Sequence, residues 1–247
     1  MGRRKSKREA RNTKRRLVLK SDSQSVLEEF QHQPKRSIKK LAPRNATQAA
    51  CINAIENRTI TLATGYPGTG KSYIPAVLAC NMLQESKIKR IVICRPNIGV
   101  GPSIGLLPGD MIEKMKAWCA PILDVMYNVL GKSYTDYLIK TEVIMLLPLE
   151  YARGRSFDDT FMILDEAQNV DKESFKCILT RTGMNTKLFI DGDVGQCDIG
   201  QSSGLGKLIH LIEQYHTPIA QIDFGLDDIV RSDVCKYMVE LFQDSGF

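Results

Sequence analysis

After residue 45 the chain alternates short, continuous apolar runs with longer stretches in which apolar residues recur every three or four positions. Continuous runs of β-branched and aliphatic residues suit strands buried on both faces, whereas the wider spacing suits helices with one buried side. Strands are predicted over 59–64, 89–94, 142–147, 161–164, 186–190 and 219–224. Helices are predicted over 71–83, 111–130, 171–183, 203–214 and 227–243. Strands separated by helical stretches imply βαβ units, hence an α/β fold with a parallel sheet flanked by helices.

The first 44 residues break this pattern. They hold 15 Lys/Arg against 4 Asp/Glu, while residues 45–247 hold 19 against 24. The formal net charge of +6 therefore belongs to the N-terminal segment, and the body is mildly acidic. Residues 1–42 are expected to form a basic, disordered arm, because dense like charge with few apolar side chains cannot bury a core. A short helix over 22–32 would fit inside it. Such an arm suits contact with a polyanion such as RNA or single-stranded DNA through its phosphates; a merely solubilising tail is the alternative. Residues 43–247 form the second unit, the folded body.

The seven cysteines include no Cys-x-x-Cys pair, and the three histidines lack metal-ligand spacing. Both features suit a reduced, cytoplasmic setting without a zinc site. No apolar run approaches the length needed to cross a membrane.

Three strand ends carry the candidate chemistry. Gly65-Tyr66-Pro67-Gly68-Thr69-Gly70-Lys71-Ser72 follows the first predicted strand and opens a predicted helix, matching G-x-x-x-x-G-K-[ST]. In that context glycines let the backbone wrap around phosphates, Lys71 reaches the β- and γ-phosphates of ATP, and the Ser72 hydroxyl faces Mg2+. The apolar run Phe161-Met162-Ile163-Leu164 delivers Asp165-Glu166 to the ligand edge of the sheet. Asp165 is the candidate Mg2+ carboxylate and Glu166 the candidate base for an attacking water. The strand over 186–190 leads into Asp191-Gly192-Asp193-Val194-Gly195-Gln196, where Asp193 or Gln196 would sense the γ-phosphate. A glycine-rich turn with exposed acids is the alternative there.

Together these residues resemble the PhoH-like ATPase family. Asp165-Glu166-Ala167-Gln168-Asn169 is similar to its DEAQN signature. Arg95-Pro96 with Gly105-Leu106-Leu107-Pro108-Gly109-Asp110, Tyr151-Ala152-Arg153-Gly154-Arg155, and Gly192-Asp193 with Gln196 match further elements in family order. Arg44-Asn45-Ala46-Thr47-Gln48 resembles an adenine-reading segment. The resemblance implies a RecA-like P-loop domain similar to the first motor domain of superfamily 1 helicases, with Gln48 on adenine and Gln196 on the γ-phosphate. It also implies a Mg2+-dependent ATPase acting on RNA or single-stranded DNA, in the cytoplasm. Gly195 and Cys197 depart from the family pattern, which commonly has Thr or Ser and an aliphatic residue there. Short variants of the family are common in bacteriophages, and this chain looks like one of them.

The stretch after Gln196 is too short for a second motor domain, which in two-domain helicases supplies an arginine to the ATP site. A neighbouring subunit in a homo-oligomeric ring, for instance a hexamer, is therefore expected to supply it. Arg231 and the Arg153–Arg155 pair lead the candidates, with Arg181 behind them. The competing functional readings are an ATP-regulated binding or assembly protein with slow hydrolysis, and a small-molecule kinase.

Overall fold

The computed structural model describes residues 38–96 and 111–245. The predicted helix over 22–32, most of the basic arm, and the Gly105–Asp110 element lie outside the described residues. Two residues of the segment expected to form the arm contact the body. Leu41 packs against the core, and the Asn81 side chain donates to the Lys39 carbonyl at 2.9 Å.

The described chain runs α1 (Ala46–Asn57), β1 (Ile60–Gly65), α2 (Tyr73–Gln84), β2 (Arg90–Arg95), α3 (Met111–Trp118), α4 (Ala120–Leu130), α5 (Lys132–Lys140), β3 (Ile144–Pro148), β4 (Thr160–Leu164), α6 (Lys172–Leu179), β5 (Lys187–Gly192), α7 (Leu205–Gln214), β6 (Ile219–Phe224) and α8 (Asp233–Ser245). All six predicted strands form, within a residue or two, as one parallel sheet in the order β3-β2-β4-β5-β1-β6. This is the α/β architecture of a RecA-like P-loop domain.

The apolar runs are continuous because both faces of the sheet are covered. Ile91, Ile93, Phe161, Ile163 and Phe189 join one core layer with α1, α2, α4 and α5. Their neighbours Val92, Cys94, Met162, Leu164, Leu188 and Ile190 point the other way, toward Phe175, Ile178, Leu205 and Leu208. One further residue along β5, the alternation returns Asp191 to the first face, beside Cys51 of α1.

The helices depart from expectation in five places, one being the helix predicted over 171–183, which ends at Leu179. The predicted helix over 111–130 is two helices broken at Cys119. Pro121 falls in the first turn of α4, where its missing N–H costs nothing; inside a continuous helix it would clash with the preceding turn. α1 was not predicted. Asn45 caps it by accepting the Gln48 N–H at 2.8 Å. α5 was also not predicted; it is short and polar, with only Thr135, Leu138 and Ile139 buried. The last helix starts at Asp233 rather than 227: Leu226–Asp228 forms a single 3-10 turn, Ile229 is extended, and the Val230 N–H donates to the Gly68 carbonyl in the loop after β1. No helix among the described residues is long and apolar enough to cross a membrane.

Candidate functional site

The parallel register brings the C-terminal ends of β2, β4, β5 and β1 side by side. Cys94 pairs with Leu164, Leu164 with Ile190, and Ala63 and Thr64 with Asp191 and Gly192. The loops leaving these ends surround one cleft of about 840 Å³.

The loop after β1 needs glycine at its first turn. Gly65 has φ +125°, and a Cβ there would lie 2.0 Å from the Phe224 carbonyl oxygen of β6. Gly70, at φ +94°, would push a Cβ to 3.0 Å from the Gln48 amide nitrogen. The resulting turn feeds the N-terminus of α2, an arrangement that presents backbone N–H groups to an anion. Lys71 is 7% exposed, and its Nζ donates to the carbonyls of Gly65 at 2.7 Å and Tyr66 at 2.6 Å. Pro67, Gly68, Gly70, Lys71 and Ser72 line the cleft. The side chains of Tyr66 and Thr69 are used elsewhere: the Tyr66 hydroxyl donates to Gln243 at 2.9 Å, and the Thr69 hydroxyl donates to the Tyr66 carbonyl at 3.0 Å.

Gln48 joins α1 to this loop. Its Nε2 donates to the Thr69 carbonyl at 2.9 Å, and its Oε1 accepts the Arg44 N–H at 2.9 Å. One N–H and one lone pair of the amide remain, and Gln48 lines the cleft together with the apolar side chains of Leu41, Ile52, Pro121 and Val125.

On β4, Asp165 follows Leu164 directly, and its N–H donates to the Cys94 carbonyl at 2.9 Å. Glu166 adopts the left-handed conformation at φ +56°, a backbone cost of about 1–3 kcal/mol that clusters at functional sites. Two donors hold its carboxylate. Arg95 Nη2 donates to Oε1 at 2.8 Å, and Gln168 Nε2 donates to Oε2 at 2.6 Å. The other Arg95 nitrogen, Nη1, lies 3.3 Å from Asp165 Oδ2 and donates to the Trp118 carbonyl at 2.6 Å.

The third element is tied to the second. Gln168 Oε1 accepts the Asp193 N–H at 3.0 Å, and Asp193 in turn accepts from the Gly195 N–H and the Gln196 amide at 3.0 and 2.9 Å. Asn169 exchanges two hydrogen bonds with Asp198, at 2.9 and 2.8 Å. The two amide residues after Asp165-Glu166 thus clamp the turn that carries Gln196.

Asp191 lies between the phosphate loop and Asp165, because β5 separates β1 from β4. The Ser72 hydroxyl donates to its Oδ2 at 2.6 Å. Burial pushes the Asp165 carboxyl up to about 7, the charges of Asp191 and Glu166 add to this, and Arg95 opposes it. Burial likewise raises Asp191, against the pull of Lys71 and the Ser72 hydroxyl, and raises Asp193 against Lys71. Four carboxylates thus face Lys71 and Arg95. This surplus of negative oxygen donors suits a hard divalent cation. Among the described residues no three His, Cys, Asp or Glu side chains are placed to hold an ion between them.

The arginines redistribute the expected roles. Arg231 lines its own chain's cleft, with side-chain carbons 3.1 Å from where a Cβ on Gly68 would stand. Its neighbour Val230 donates to the Gly68 carbonyl at 3.1 Å and accepts from Arg44 at 3.3 Å. Arg231 therefore lies beside Gly68 at the cleft of its own chain. Arg153, Arg155 and Arg181 do not line the cleft. Arg95, Asp191 and Gln168 carry no individual role in the sequence reading. Arg95 and Asp191 are polar residues at the C-terminal ends of predicted buried strands, the position where open α/β sheets bind ligands, and that signal was available.

The family model described as PhoH-like protein matches residues 40–243. Protein PhoH of Escherichia coli (strain K12) is 36% identical over 205 residues, covering 81% of this chain and 58% of that protein. The PhoH-like protein of Bacillus subtilis (strain 168) is 33% identical over 233 residues, covering 91% of this chain and 73% of that protein. The PhoH-like protein of Mycobacterium tuberculosis (strain ATCC 25618 / H37Rv) is 36% identical over 206 residues, covering 83% and 58%. The chain thus spans somewhat over half the length of several of these relatives.

Proposed function

This chain belongs to the PhoH-like protein family, and from that premise we propose that it is a Mg2+-dependent ATPase whose hydrolysis occurs in the cleft at the strand ends. The observation that carries the reading is the convergence of Lys71 and Ser72, Asp165 and Glu166, and Asp193 and Gln196 on one cavity. These residues come from three different strand ends.

ATP enters with its triphosphate against the loop 65–72, where backbone N–H groups and the start of α2 meet negative charge. Lys71 leaves the carbonyls of Gly65 and Tyr66 for the β- and γ-phosphates. Gln48 uses its remaining N–H and lone pair on the adenine edge, and the apolar side chains around it cover the ring. Ser72 and Asp165 would hold the magnesium ion, whose charge offsets that developing on the phosphate oxygens. Glu166 orients the attacking water and accepts its proton, and Gln196 contacts the γ-phosphate. Arg231 adds positive charge at the phosphate loop of the same subunit.

Coupling to RNA or single-stranded DNA, partly through the basic N-terminal residues, and assembly into a homo-oligomeric ring are further parts of the proposal. They rest on the charge of residues 1–44 and on the family resemblance. One observation favours slow basal turnover and a switching role: the Glu166 carboxylate is held by both Arg95 and Gln168. Phosphate release with and without RNA or single-stranded DNA tests the reading, comparing wild type with Lys71→Ala and Glu166→Gln. Wild-type hydrolysis that both variants abolish supports it. No hydrolysis under any of these conditions rejects it.

A further inference from the structure

We propose that Arg95 is the γ-phosphate-sensing arginine of this site, supplied by the same subunit, and that its transfer to the nucleotide frees Glu166 for water activation. The inference rests on the ATPase reading above. Arg95 ends β2, next to β4, so its guanidinium faces both acids at the tip of β4. It lines the same cleft as Lys71 and Gln196, and its side chain keeps 24% of its surface exposed.

The three contacts of the guanidinium differ in kind. Nη1 donates to the Trp118 carbonyl at 2.6 Å, a neutral acceptor on the end of α3 that nucleotide does not claim. The Nη1–Asp165 contact is long, at 3.3 Å, while the Nη2–Glu166 contact is short, at 2.8 Å. An incoming γ-phosphate offers oxygens of greater charge than one carboxylate, and planar guanidinium binds either group in the same forked geometry. The Trp118 carbonyl can therefore serve as a pivot while Nη2 exchanges the Glu166 carboxylate for phosphate. Glu166 would keep its Gln168 contact, and its Oε1 would become available to water. ADP lacks the γ-phosphate and leaves the arginine on Glu166. The same cation thus restrains the base without substrate and stabilises phosphate charge with it, a task otherwise expected of a neighbouring subunit.

The test is equilibrium binding of Mg2+-loaded AMPPNP and ADP to wild type, Arg95→Ala, Arg95→Gln and Lys71→Ala, with unfolding temperatures recorded for each. Wild type is expected to prefer AMPPNP to ADP. Arg95→Ala is expected to lower AMPPNP affinity about tenfold or more, the scale of a lost charge-assisted hydrogen bond, and to leave ADP affinity nearly unchanged. Arg95→Gln reports the same ratio where the alanine variant does not fold. An unchanged AMPPNP-to-ADP ratio in both variants overturns the inference while leaving the ATPase reading intact. Equal weakening of both nucleotides assigns Arg95 to a structural ion pair and overturns it too. Wild type that binds neither nucleotide removes the ATPase reading itself, and this inference with it.

Discussion

Gln168 donates to the Glu166 carboxylate at 2.6 Å and, through its other amide atom, accepts the Asp193 N–H at 3.0 Å. One buried side chain, 2% exposed, thereby connects the acid at the end of β4 to the turn after β5. A primary amide suits this position because it offers a donor and an acceptor on opposite sides of one planar group. Glutamate would place a second negative charge against Glu166, and leucine would leave the Asp193 N–H without its partner.

Gln168→Ala is expected to lower kcat about tenfold or more while changing ATP affinity little, because it misplaces Glu166 and Gln196 without touching the phosphate loop. Steady-state phosphate release together with equilibrium ATP binding checks this. A rise in Kd with kcat unchanged would assign Gln168 to substrate binding.

Glu166→Gln removes the proposed base and keeps the shape. A positioned general base contributes about 100- to 10,000-fold, so kcat should fall by at least about 100-fold. ATP should still bind and remain intact on the variant, as read by filter binding with labelled nucleotide. Lys71→Ala should instead lose both binding and turnover.

Gly65→Ala should cost more than about 3 kcal/mol of stability or prevent folding. Its φ of +125° strains any side chain, and the new Cβ would meet the Phe224 carbonyl. Denaturant unfolding measures the loss. Gly154→Ala is the control, since its Cβ would meet nothing within 4 Å, so only the cost of its φ of +74° remains.

The carboxyl of Asp165 is raised from its ordinary 3.8 to about 7 by burial first and by Asp191 second. The folded protein therefore binds more protons than the unfolded chain between those two values. This group's contribution to stability is greatest below the lower value and is lost as pH rises through the window, levelling off above about 7. Nucleotide-free wild type should lose unfolding temperature from pH 5 to pH 7.5 relative to Asp165→Asn. Parallel profiles for the two proteins would show that Asp165 does not titrate in this range.

Much of the fold was legible along the chain. Continuous apolar runs such as Phe161–Leu164 mark strands with both faces buried. The glycines and Lys71 of the loop after β1 mark a strand-to-helix turn of the phosphate-binding pattern, and Asp165-Glu166 follow a strand whose end had to reach the ligand edge. These are local signals, because hydrophobic periodicity and turn chemistry act over a few residues. Pro121 was a local signal as well, marking the break that separates α3 from α4.

Which strand lies beside which was decided only by the tertiary structure. Apolar periodicity records that a strand is buried but not its neighbour, since parallel partners lie tens of residues apart and pack through similar side chains. The order β2-β4-β5-β1 puts Arg95 on Asp165 and Glu166, Asp191 on Ser72, and Gln168 on Asp193. The backbone hydrogen bond from Val230 to Gly68 sets Arg231 at its own chain's cleft. Composition and motif named the groups proposed to handle phosphate; non-local packing in the sheet chose the partners that hold those groups in place.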